Sequence, residues 1–418
     1  MTKDLTDRPL AGIKVVEVAT HVAAPVCTRL MSEMGADVIK IEDTFIGDPW
    51  RYAGATILGC PTGDDENPIF EIISLYKKSL AMDLKQPEAM EILHKLIAEA
   101  DVFVTSFRPN ALEDLGLDYK TLHQKYPRLV YAQNTAYGEK GPDKDEPGFD
   151  TIAFWARSGF TLDQSYPEYR PMASCNGYGD VGVGTALFGG VMTALFNRER
   201  TGKGEKVSVS LYGMGSWMAH LCTTATQDAY GNYPKPQTRE QCHPLLSAYK
   251  CKDGEYVQFA VIEYDRIRPI LSEVLELPEM MTDERLKDNI TFLKTGKLFL
   301  MNLLEAKIAE KTSDEWIAAL KRADIPFGKL THYSDVSRDP QALANNYMYP
   351  RTFVSGHTAL LTNSPYTYDS WDNDYSDSVG HPLYGEHTVE IIKSLGYTDE
   401  DIERFKEKKM LVIKERVK

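Results

Sequence analysis

The fold is decided by residues 13–42, which begin with Ile13-Lys14-Val15-Val16-Glu17-Val18 and end with Asp37-Val38-Ile39-Lys40-Ile41-Glu42. Both runs are rich in β-branched residues, a composition typical of strands buried in a parallel sheet. Between them, Pro25 indicates the first turn of a helix and Gly35 indicates its end. The stretch therefore predicts a β-α-β unit.

The same alternation continues further along the chain. A helix is predicted around residues 88–100, and strands are predicted at 102–104 and 129–131. Alternating strands and helices favour an α/β fold with a largely parallel sheet. The turn after the first strand, residues 19–25, contains no glycine, so the G-x-G-x-x-G dinucleotide fingerprint is absent and a nicotinamide dehydrogenase is disfavoured.

Composition narrows the class of protein. The chain has 418 residues, 43% of them hydrophobic and 26% charged, with a net charge of −14. This length allows two or three domains, and the negative charge disfavours nucleic-acid and anionic-membrane partners. No apolar run approaches the length of a membrane span, and the polar N-terminus does not resemble a secretory leader. We therefore expect a cytoplasmic protein whose phosphorylated ligands need a local cluster of Lys and Arg.

Cysteine and histidine spacing gives no metal site. The six cysteines and nine histidines are scattered, without a C-x-x-C pair or an H-E-x-x-H motif. We expect neither a metal nor a tightly bound cofactor.

Asp180 is the candidate nucleophile. It lies in Gly177-Tyr178-Gly179-Asp180-Val181-Gly182-Val183-Gly184, directly before a helix predicted from residue 185 to about 198. A carboxylate at a helix N-terminus is favoured in its ionised form, and an ionised Asp can attack a thioester carbonyl. The glycines leave room for a ligand, and the amides of residues 182–184 could bind an oxyanion. Equally, Asp180 could only cap the helix, and the pattern leaves both interpretations open.

Basic residues offer possible phosphate contacts. Lys77, Lys78 and Arg108 follow short apolar stretches, and each fits either a phosphate contact or a solvated surface charge. Residues 140–144 indicate an exposed turn. A polar, proline-containing stretch at about 230–244 indicates a linker before a smaller domain at roughly 245–330.

Taken in order, many short segments resemble the class III CoA-transferases, the family that includes formyl-CoA transferase and carnitine CoA-transferase. The matching segments span nearly the whole chain: 9–17, 23–25, 35–42, 47–49, 77–79, 83–85, 100–102, 137–138, 179–180, 200–204, 325–326, 339–340 and 385–388. Residues 137–157 and 323–327 look closest to the subgroup that passes CoA to (R)-2-hydroxy acids in amino-acid fermentation, as the phenyllactate and 2-hydroxyisocaproate enzymes do.

The resemblance implies a fold and an assembly. It implies a Rossmann-like large domain beginning with residues 1–225, a linker and small α+β domain over 226–330, and a C-terminal segment, 331–418, that returns to the large domain. Two such chains would form an interlocked homodimer. The substrates would be an acyl-CoA or enoyl-CoA and a free carboxylic acid.

The resemblance also implies roles for particular residues. Asp180 corresponds to the aspartate that forms a mixed anhydride and then an aspartyl-CoA thioester. The CoA site would be lined by His21, Val22 and Ala23, with Lys40 and Lys77 near the phosphates and Phe107 near the adenine. Two basic residues of some relatives correspond here to Asp114 and Gly148, which changes the expected phosphate contacts.

Two other functions compete with the transferase. The related α-methylacyl-CoA racemases have Gly-His-Asp where this chain has Gly148-Phe149-Asp150. Phenylalanine cannot exchange a proton, so a two-base racemase lacks one partner. A non-catalytic acyl-CoA-binding homologue is the third possibility, and the presence of Asp180 between glycines argues against it.

Overall fold

The computed structural model describes residues 5–60, 63, 66–165, 169–230, 238–371, 374–376 and 378–416. The chain divides into two compact units: Met1–Thr161, Ala173–Gln227 and Pro340–Lys418 make the first, and Leu162–Met172 and Asp228–Asp339 make the second. Leu162–Met172, which the sequence assigned to the large domain, groups with the second unit. Part of the predicted linker, 231–237, lies outside the described residues.

The strands, in chain order, are β1 (Lys14–Val18), β2 (Asp37–Glu42), β3 (Lys78–Met82), β4 (Val102–Thr105), β5 (Val130–Thr135), β6 (Lys206–Ser210), β7 (Ala248–Lys250), β8 (Tyr256–Phe259), β9 (Phe327–Lys329), β10 (Met348–Thr352), β11 (Thr358–Thr362) and β12 (Leu411–Val412). The main sheet has the order β12-β3-β2-β1-β4-β5-β6. Its neighbours pair in parallel except β12, which runs antiparallel to β3. The α/β fold with a largely parallel sheet is therefore confirmed.

The α-helices are α1 (Ala23–Glu33), α2 (Trp50–Ile57), α3 (Pro68–Ser74), α4 (Pro87–Glu99), α5 (Pro109–Leu115), α6 (Tyr119–Lys125), α7 (Phe160–Asp163), α8 (Tyr178–Thr201), α9 (Leu211–Met218), α10 (His220–Ala225), α11 (Tyr264–Val274), α12 (Glu279–Thr282), α13 (Asn289–Thr291), α14 (Lys297–Ile308), α15 (Ser313–Arg322), α16 (Tyr333–Val336), α17 (Pro340–Ala344), α18 (Thr388–Ser394) and α19 (Asp399–Glu407). Asp150–Ala156 and Phe292–Gly296 form π-helical turns. The short 3₁₀ turns are Asp228–Tyr230, Arg239–Gln241, Pro244–Leu246 and Glu284–Leu286.

Helices cover both faces of the main sheet. One apolar cluster joins the sheet residues Val15, Val102 and Val130 to α1 and α8. A second cluster joins the alternate residues, such as Val16 and Phe103, to α4–α6, α18 and α19. Because successive side chains of a strand point to opposite faces, a sheet covered on both sides needs the continuous apolar runs seen in the sequence.

Helix α8 is long and apolar enough, by length and composition alone, to cross a membrane. Its buried residues Leu187 and Val191 belong to the cluster that packs on the sheet, and Val183 belongs to a smaller apolar cluster of the first unit. Gly184 lets α8 approach α1 closely, because a Cβ there would lie 2.6 Å from the carbonyl oxygen of Ala23. This packing accounts for the apolar composition of the helix.

The second unit has its own core. Strands β7, β8 and β9 form an antiparallel sheet, and helices α11, α14 and α15 pack their apolar sides into a cluster that includes the fully buried Trp316. The indole nitrogen of Trp316 donates to the carbonyl of Ile308 (2.8 Å), so this large ring is buried without an unmet polar group.

Candidate active site

A cavity of about 550 Å³ opens in the first unit at the carboxyl ends of β1, β4, β5 and β6. From β1 the chain adds β2 and β3 on one side of the sheet, and it then returns to add β4, β5 and β6 on the other side of β1. The strand order therefore reverses between β1 and β4. Open α/β sheets bind ligands in the crevice at this point. The amide of Thr20 donates to Ser106 Oγ (3.2 Å) across the crevice and joins the two strand ends.

The structure brings together Asp180, His21, Ala23 and Phe107, four of the residues predicted for the site, on the wall of this cavity. Val22 is also nearby in sequence, but its side chain is buried in the core between the sheet and α1. Asp180 comes from the first turn of α8, His21 and Ala23 from the turn into α1, and Phe107 from the end of β4.

Asp180 is not a capping residue. The helix begins at Tyr178, earlier than the sequence predicted, so Asp180 lies inside its first turn and Gly177 occupies the cap position. Burial, together with the negative charge of Asp150, raises the pKa of Asp180 to about 7. Burial and the second carboxylate therefore oppose the stabilisation of the ionised form that the sequence predicted from the helix terminus.

Asp150 takes the capping role instead. It is the first residue of the π-helical turn Asp150–Ala156, and its Oδ2 accepts a hydrogen bond from the amide of Gly177 (3.0 Å). Burial raises the pKa of Asp150, and the amides of Gly177, Gly179 and Asp180 partly offset this increase. The amides at the start of α8 are thus directed at Asp150 rather than at Asp180.

The glycines around Asp180 serve protein packing. A Cβ at Gly179 would lie 2.3 Å from both Asp150 Oδ1 and Phe154 Cγ, so only glycine fits there. The amides of residues 182–184 lie inside α8, where backbone amides bond to carbonyls four residues earlier. The predicted oxyanion role of these amides is therefore wrong. The side chains of Asn134, which is buried, and Asn176, which is exposed, line the cavity and are alternative amide donors.

His21 is held in a constrained conformation at the cavity wall. Its φ is +66°, in the left-handed region that non-glycine residues rarely occupy. Its amide donates to Asp48 Oδ1 (3.0 Å), and its ring meets Phe149 edge to face. Burial lowers the pKa of His21, and the negative charge of Asp48 only partly offsets this decrease. The imidazole is thus predominantly neutral at neutral pH.

Lys40 and Lys77 are interior residues, so the prediction that they lie near CoA phosphates is not supported by their positions. Lys40 Nζ lies 2.6 Å from Glu17 and 2.7 Å from Asp48, and Lys77 Nζ lies 2.8 Å from Glu17, with every one of these side chains fully buried. Burial lowers the pKa of Lys77 to about 8, whereas Asp48 and Glu17 outweigh burial at Lys40 and raise its pKa. Both ammonium groups neutralise buried carboxylates.

Two cations line the cavity: Arg108, which the sequence offered as a possible phosphate contact, and Lys144, which the sequence placed only in an exposed turn. Arg108 follows β4, and Lys144 lies in the segment before Phe149; both are exposed and line the cavity. The position of Arg108 after the carboxyl end of a parallel strand favours the phosphate contact over the solvated surface charge. Lys144 carried no comparable signal. Lys78, in contrast, pairs with Asp37 (3.3 Å) and Glu390 (3.4 Å) at the surface.

Among the described residues, no group of three or more His, Cys, Asp or Glu side chains could hold a metal ion. Fold and site together define a doubly wound α/β enzyme with a half-buried carboxylate, a neutral imidazole and two cations at its switch-point crevice. Residues 10–388 match CoA-transferase family III, and the chain belongs to this family. The resemblance seen in the sequence is thereby confirmed, and the protein is a CoA-transferase.

Two characterised relatives cover almost the whole chain. The (R)-2-hydroxy-4-methylpentanoate CoA-transferase of Clostridioides difficile is 41% identical over 96% of this chain and 99% of its own length. The cinnamoyl-CoA:phenyllactate CoA-transferase of Clostridium sporogenes is 37% identical over 97% of this chain and 98% of its own length. A CAIB/BAIF family protein from Brucella suis has a similar crystal structure, with a TM-score of 0.76 and 27% identity over 93% of this chain and 99% of that one.

Proposed function

We propose that this enzyme moves CoA from an acyl-CoA or enoyl-CoA to a free (R)-2-hydroxy acid of amino-acid fermentation, through an aspartyl-CoA thioester on Asp180. The observation that carries the proposal is the position of Asp180, half-buried in the switch-point cavity whose wall also holds the side-chain amides of Asn134 and Asn176. The two relatives named for 2-hydroxy acids support the choice of acceptor.

Four steps complete one proposed turnover. The ionised Asp180 attacks the thioester carbonyl, the C–S bond breaks, and CoA leaves as the thiolate, which gives an aspartyl-acyl anhydride. The thiolate then attacks the aspartyl carbonyl and releases the donor acid, which leaves aspartyl-CoA. The acceptor carboxylate attacks this thioester and forms a second anhydride and thiolate. Attack of the thiolate on the acyl carbonyl gives the new acyl-CoA and regenerates Asp180.

The remaining cavity residues suit the two ends of such a substrate. Arg108 and Lys144 lie at the wall where they can neutralise CoA phosphates, and Phe107 offers a ring face for the adenine. Phe149, Trp50 and Ile57 supply an apolar wall that suits a branched or aromatic acid side chain. These contacts replace the phosphate contacts first expected from Lys40 and Lys77.

The assembly and location are also proposals. We infer an interlocked homodimer, because Phe196, Trp217 and Leu221 of the first unit are 69%, 70% and 74% exposed, and large exposed apolar groups of this kind mark interfaces. The boundaries 1–225, 226–330 and 331–418 are proposed as its domains, and the cytoplasm as its location. Analytical ultracentrifugation tests the dimer, which a monomer at micromolar concentration would contradict.

The decisive experiment incubates the protein with several acyl-CoA donors and a panel of free acids, followed by mass spectrometry of the thioesters formed. The panel contains (R)-2-hydroxy-4-methylpentanoate, (R)-phenyllactate, lactate, cinnamate and oxalate. We expect a new thioester with the wild type and none with Asp180→Ala, whose circular dichroism should match the wild type. Borohydride trapping should yield a reduced Asp180 only when acyl-CoA is present. No exchange with any pair, together with deuterium entering the α-carbon of an acyl-CoA, would instead indicate a racemase.

A further inference from the structure

Two carboxylates, those of Asp180 and Asp150, lie at the first turn of α8. The proposed reaction needs only one of them as a nucleophile. Asp180 lies inside the first turn, whereas Asp150 reaches this turn from the π-helical segment that precedes it in sequence. Asp150 is 5% exposed, so its charge is largely removed from water. A buried carboxylate beside another carboxylate is costly, and such a pair persists where the surrounding structure or the function requires it.

The contacts of Asp150 fix the turn that carries Asp180. Its Oδ2 accepts from the amide of Gly177 (3.0 Å), and the amides of Gly179 and Asp180 face the same carboxylate. Gly177 has a φ of +82°, which turns the chain so that these amides converge. One carboxylate therefore satisfies the exposed amides at the start of α8.

The second oxygen of Asp150 is held close to the backbone of α8. Within the described residues Oδ1 is buried and makes no hydrogen bond of ordinary geometry. It lies so close to Gly179 that a Cβ at this residue would stand 2.3 Å from it. The amides of Gly179 and Asp180 and the indole N–H of Trp155 interact with this carboxylate and partly offset the effect of burial on its pKa. Its position next to Asp180, in the wall of the cavity, suggests a role in the reaction rather than in packing alone.

We propose that Asp150 is the positioning residue of Asp180: its carboxylate occupies the amides at the start of α8, fixes the turn from which Asp180 projects, and places a second negative charge beside the nucleophile. This inference rests on the proposed function of Asp180. Three consequences follow for the nucleophile. The amides at the start of α8 do not stabilise the Asp180 carboxylate, because Asp150 occupies them. The repulsion between the two carboxylates makes Asp180 more basic. This repulsion ends when Asp180 becomes an uncharged anhydride or thioester.

The charge on Asp150 should therefore favour the covalent intermediates. When Asp180 attacks the thioester, its negative charge leaves with the CoA thiolate, and the pair of like charges becomes a single charge. Repulsion in the resting enzyme is relieved in aspartyl-CoA, so the equilibrium between acyl-CoA and covalent enzyme moves toward the latter. This is a specific, geometric form of ground-state destabilisation.

Other titratable or charged groups face the same cavity but are not among the causes that raise the pKa of Asp180. They come from the turn after β1, the end of β4 and the segment before Phe149: His21, Arg108, Lys144 and Glu146. Asp150 is the neighbour whose charge raises the pKa of Asp180 beyond the effect of burial. Its replacement should consequently have a larger effect than replacement of any of these four.

The first test is Asp150→Asn in the full-length enzyme. The Asn carbonyl can still accept from Gly177, so the cap persists while the charge is lost. We expect the acid limb of the pH profile of kcat/KM for the acyl-CoA to move down by at least one pH unit. We also expect at least a threefold lower fraction of enzyme trapped as aspartyl-CoA in the absence of acceptor.

Asp118→Asn is the matched control. Asp118 caps α6 through the amide of Thr121 (3.1 Å), in the same unit but away from the cavity. Its replacement should leave the acid limb unmoved. An active, folded Asp150→Asn with an unmoved acid limb would overturn the inference while leaving the transferase function intact.

A second measurement needs no activity, and it decides the case if Asp150→Asn does not fold or the wild type shows no exchange. The raised pKa of Asp180 means that its ionisation costs folding free energy, a cost that grows above about pH 4 and is complete above pH 7. Asp180→Asn should therefore melt at a higher temperature than the wild type at pH 8, and the difference should vanish toward pH 4. Equal melting temperatures at pH 8 would overturn the inference, and so would an equal gain from Asp180→Asn in the Asp150→Asn background, where only the cost of burial should remain.

Discussion

Lys40 Nζ lies 2.7 Å from Asp48 Oδ2, and both side chains are fully buried. The other oxygen of Asp48 accepts from the amides of His21 (3.0 Å) and Trp50 (2.9 Å), which line the cavity. Lys40 therefore stabilises the cavity wall through Asp48 without contacting the cavity itself.

Lys40→Met should destabilise the enzyme severely. The methionine nearly fills the volume of the lysine but leaves the carboxylates of Glu17 and Asp48 short of a buried counter-charge. Removal of one partner from a buried pair typically costs about 3–5 kcal/mol. Urea unfolding followed by fluorescence measures the change.

Lys78→Met is the control for this change. Lys78 belongs to the neighbouring strand β3 and pairs with Asp37 across 3.3 Å at the surface, where its side chain is 34% exposed. Surface pairs contribute about 0–1 kcal/mol. Similar losses for the two variants would contradict the structural role assigned to Lys40.

Wild-type activity should fall below neutral pH. Asp180 must be ionised to attack a carbonyl, and its pKa of about 7 means that the protonated form dominates below this value. We expect kcat/KM for the acyl-CoA to fall roughly tenfold per pH unit below the pKa and to level off above it. Initial rates from pH 5 to 9 in buffers of constant ionic strength measure this, and a flat profile down to pH 5 would refute it.

Arg108→Ala and Lys144→Ala should weaken CoA binding without abolishing the chemistry. Each removes a cation from the cavity wall, so we expect KM for the acyl-CoA to rise about tenfold, which corresponds to about 1.4 kcal/mol per phosphate contact, with kcat within twofold. Arg128→Ala, which removes an exposed arginine 3.9 Å from Glu199, serves as the control. A lowered kcat at unchanged KM would place these cations near the reacting atoms instead.

Part of this site was predictable from the sequence because its residues follow strands. His21, Phe107 and Arg108 come directly after β1 and β4, and parallel strands end at the same edge of a sheet. The ion pair between Lys40 and Glu17 was also predictable, because these two residues are paired on adjacent strands. Two opposite charges at paired positions of buried strands indicate an interior ion pair rather than a ligand contact.

Asp150 could not be found in this way. It lies 30 residues before Asp180 in sequence, in a segment without periodic apolar residues, and only the folded chain brings its carboxylate to the amides of α8.

The start of α8 was misplaced for a related reason. Gly177 and Gly179 suggested a loop, whereas the external cap allows the helix to begin at Tyr178. Sequence patterns report local preference, and here a long-range contact overrides it.

Gly179→Ala separates the packing function of this glycine from its effect on the helix. Alanine is the better helix former by about 1 kcal/mol, so propensity alone predicts a more stable protein. The new Cβ, however, would stand 2.3 Å from Asp150 Oδ1 and from Phe154 Cγ, far inside van der Waals contact. We expect the cap to be displaced, kcat to fall at least a hundredfold, and the melting temperature to decrease.

Gly189→Ala is the matched control in the same helix, because nothing lies within 4 Å of its Cβ. It should keep full activity and melt at the same temperature or higher. If both variants behaved alike, Gly179 would be an ordinary helical residue, and the contact between Asp150 and the first turn of α8 would not support the nucleophile.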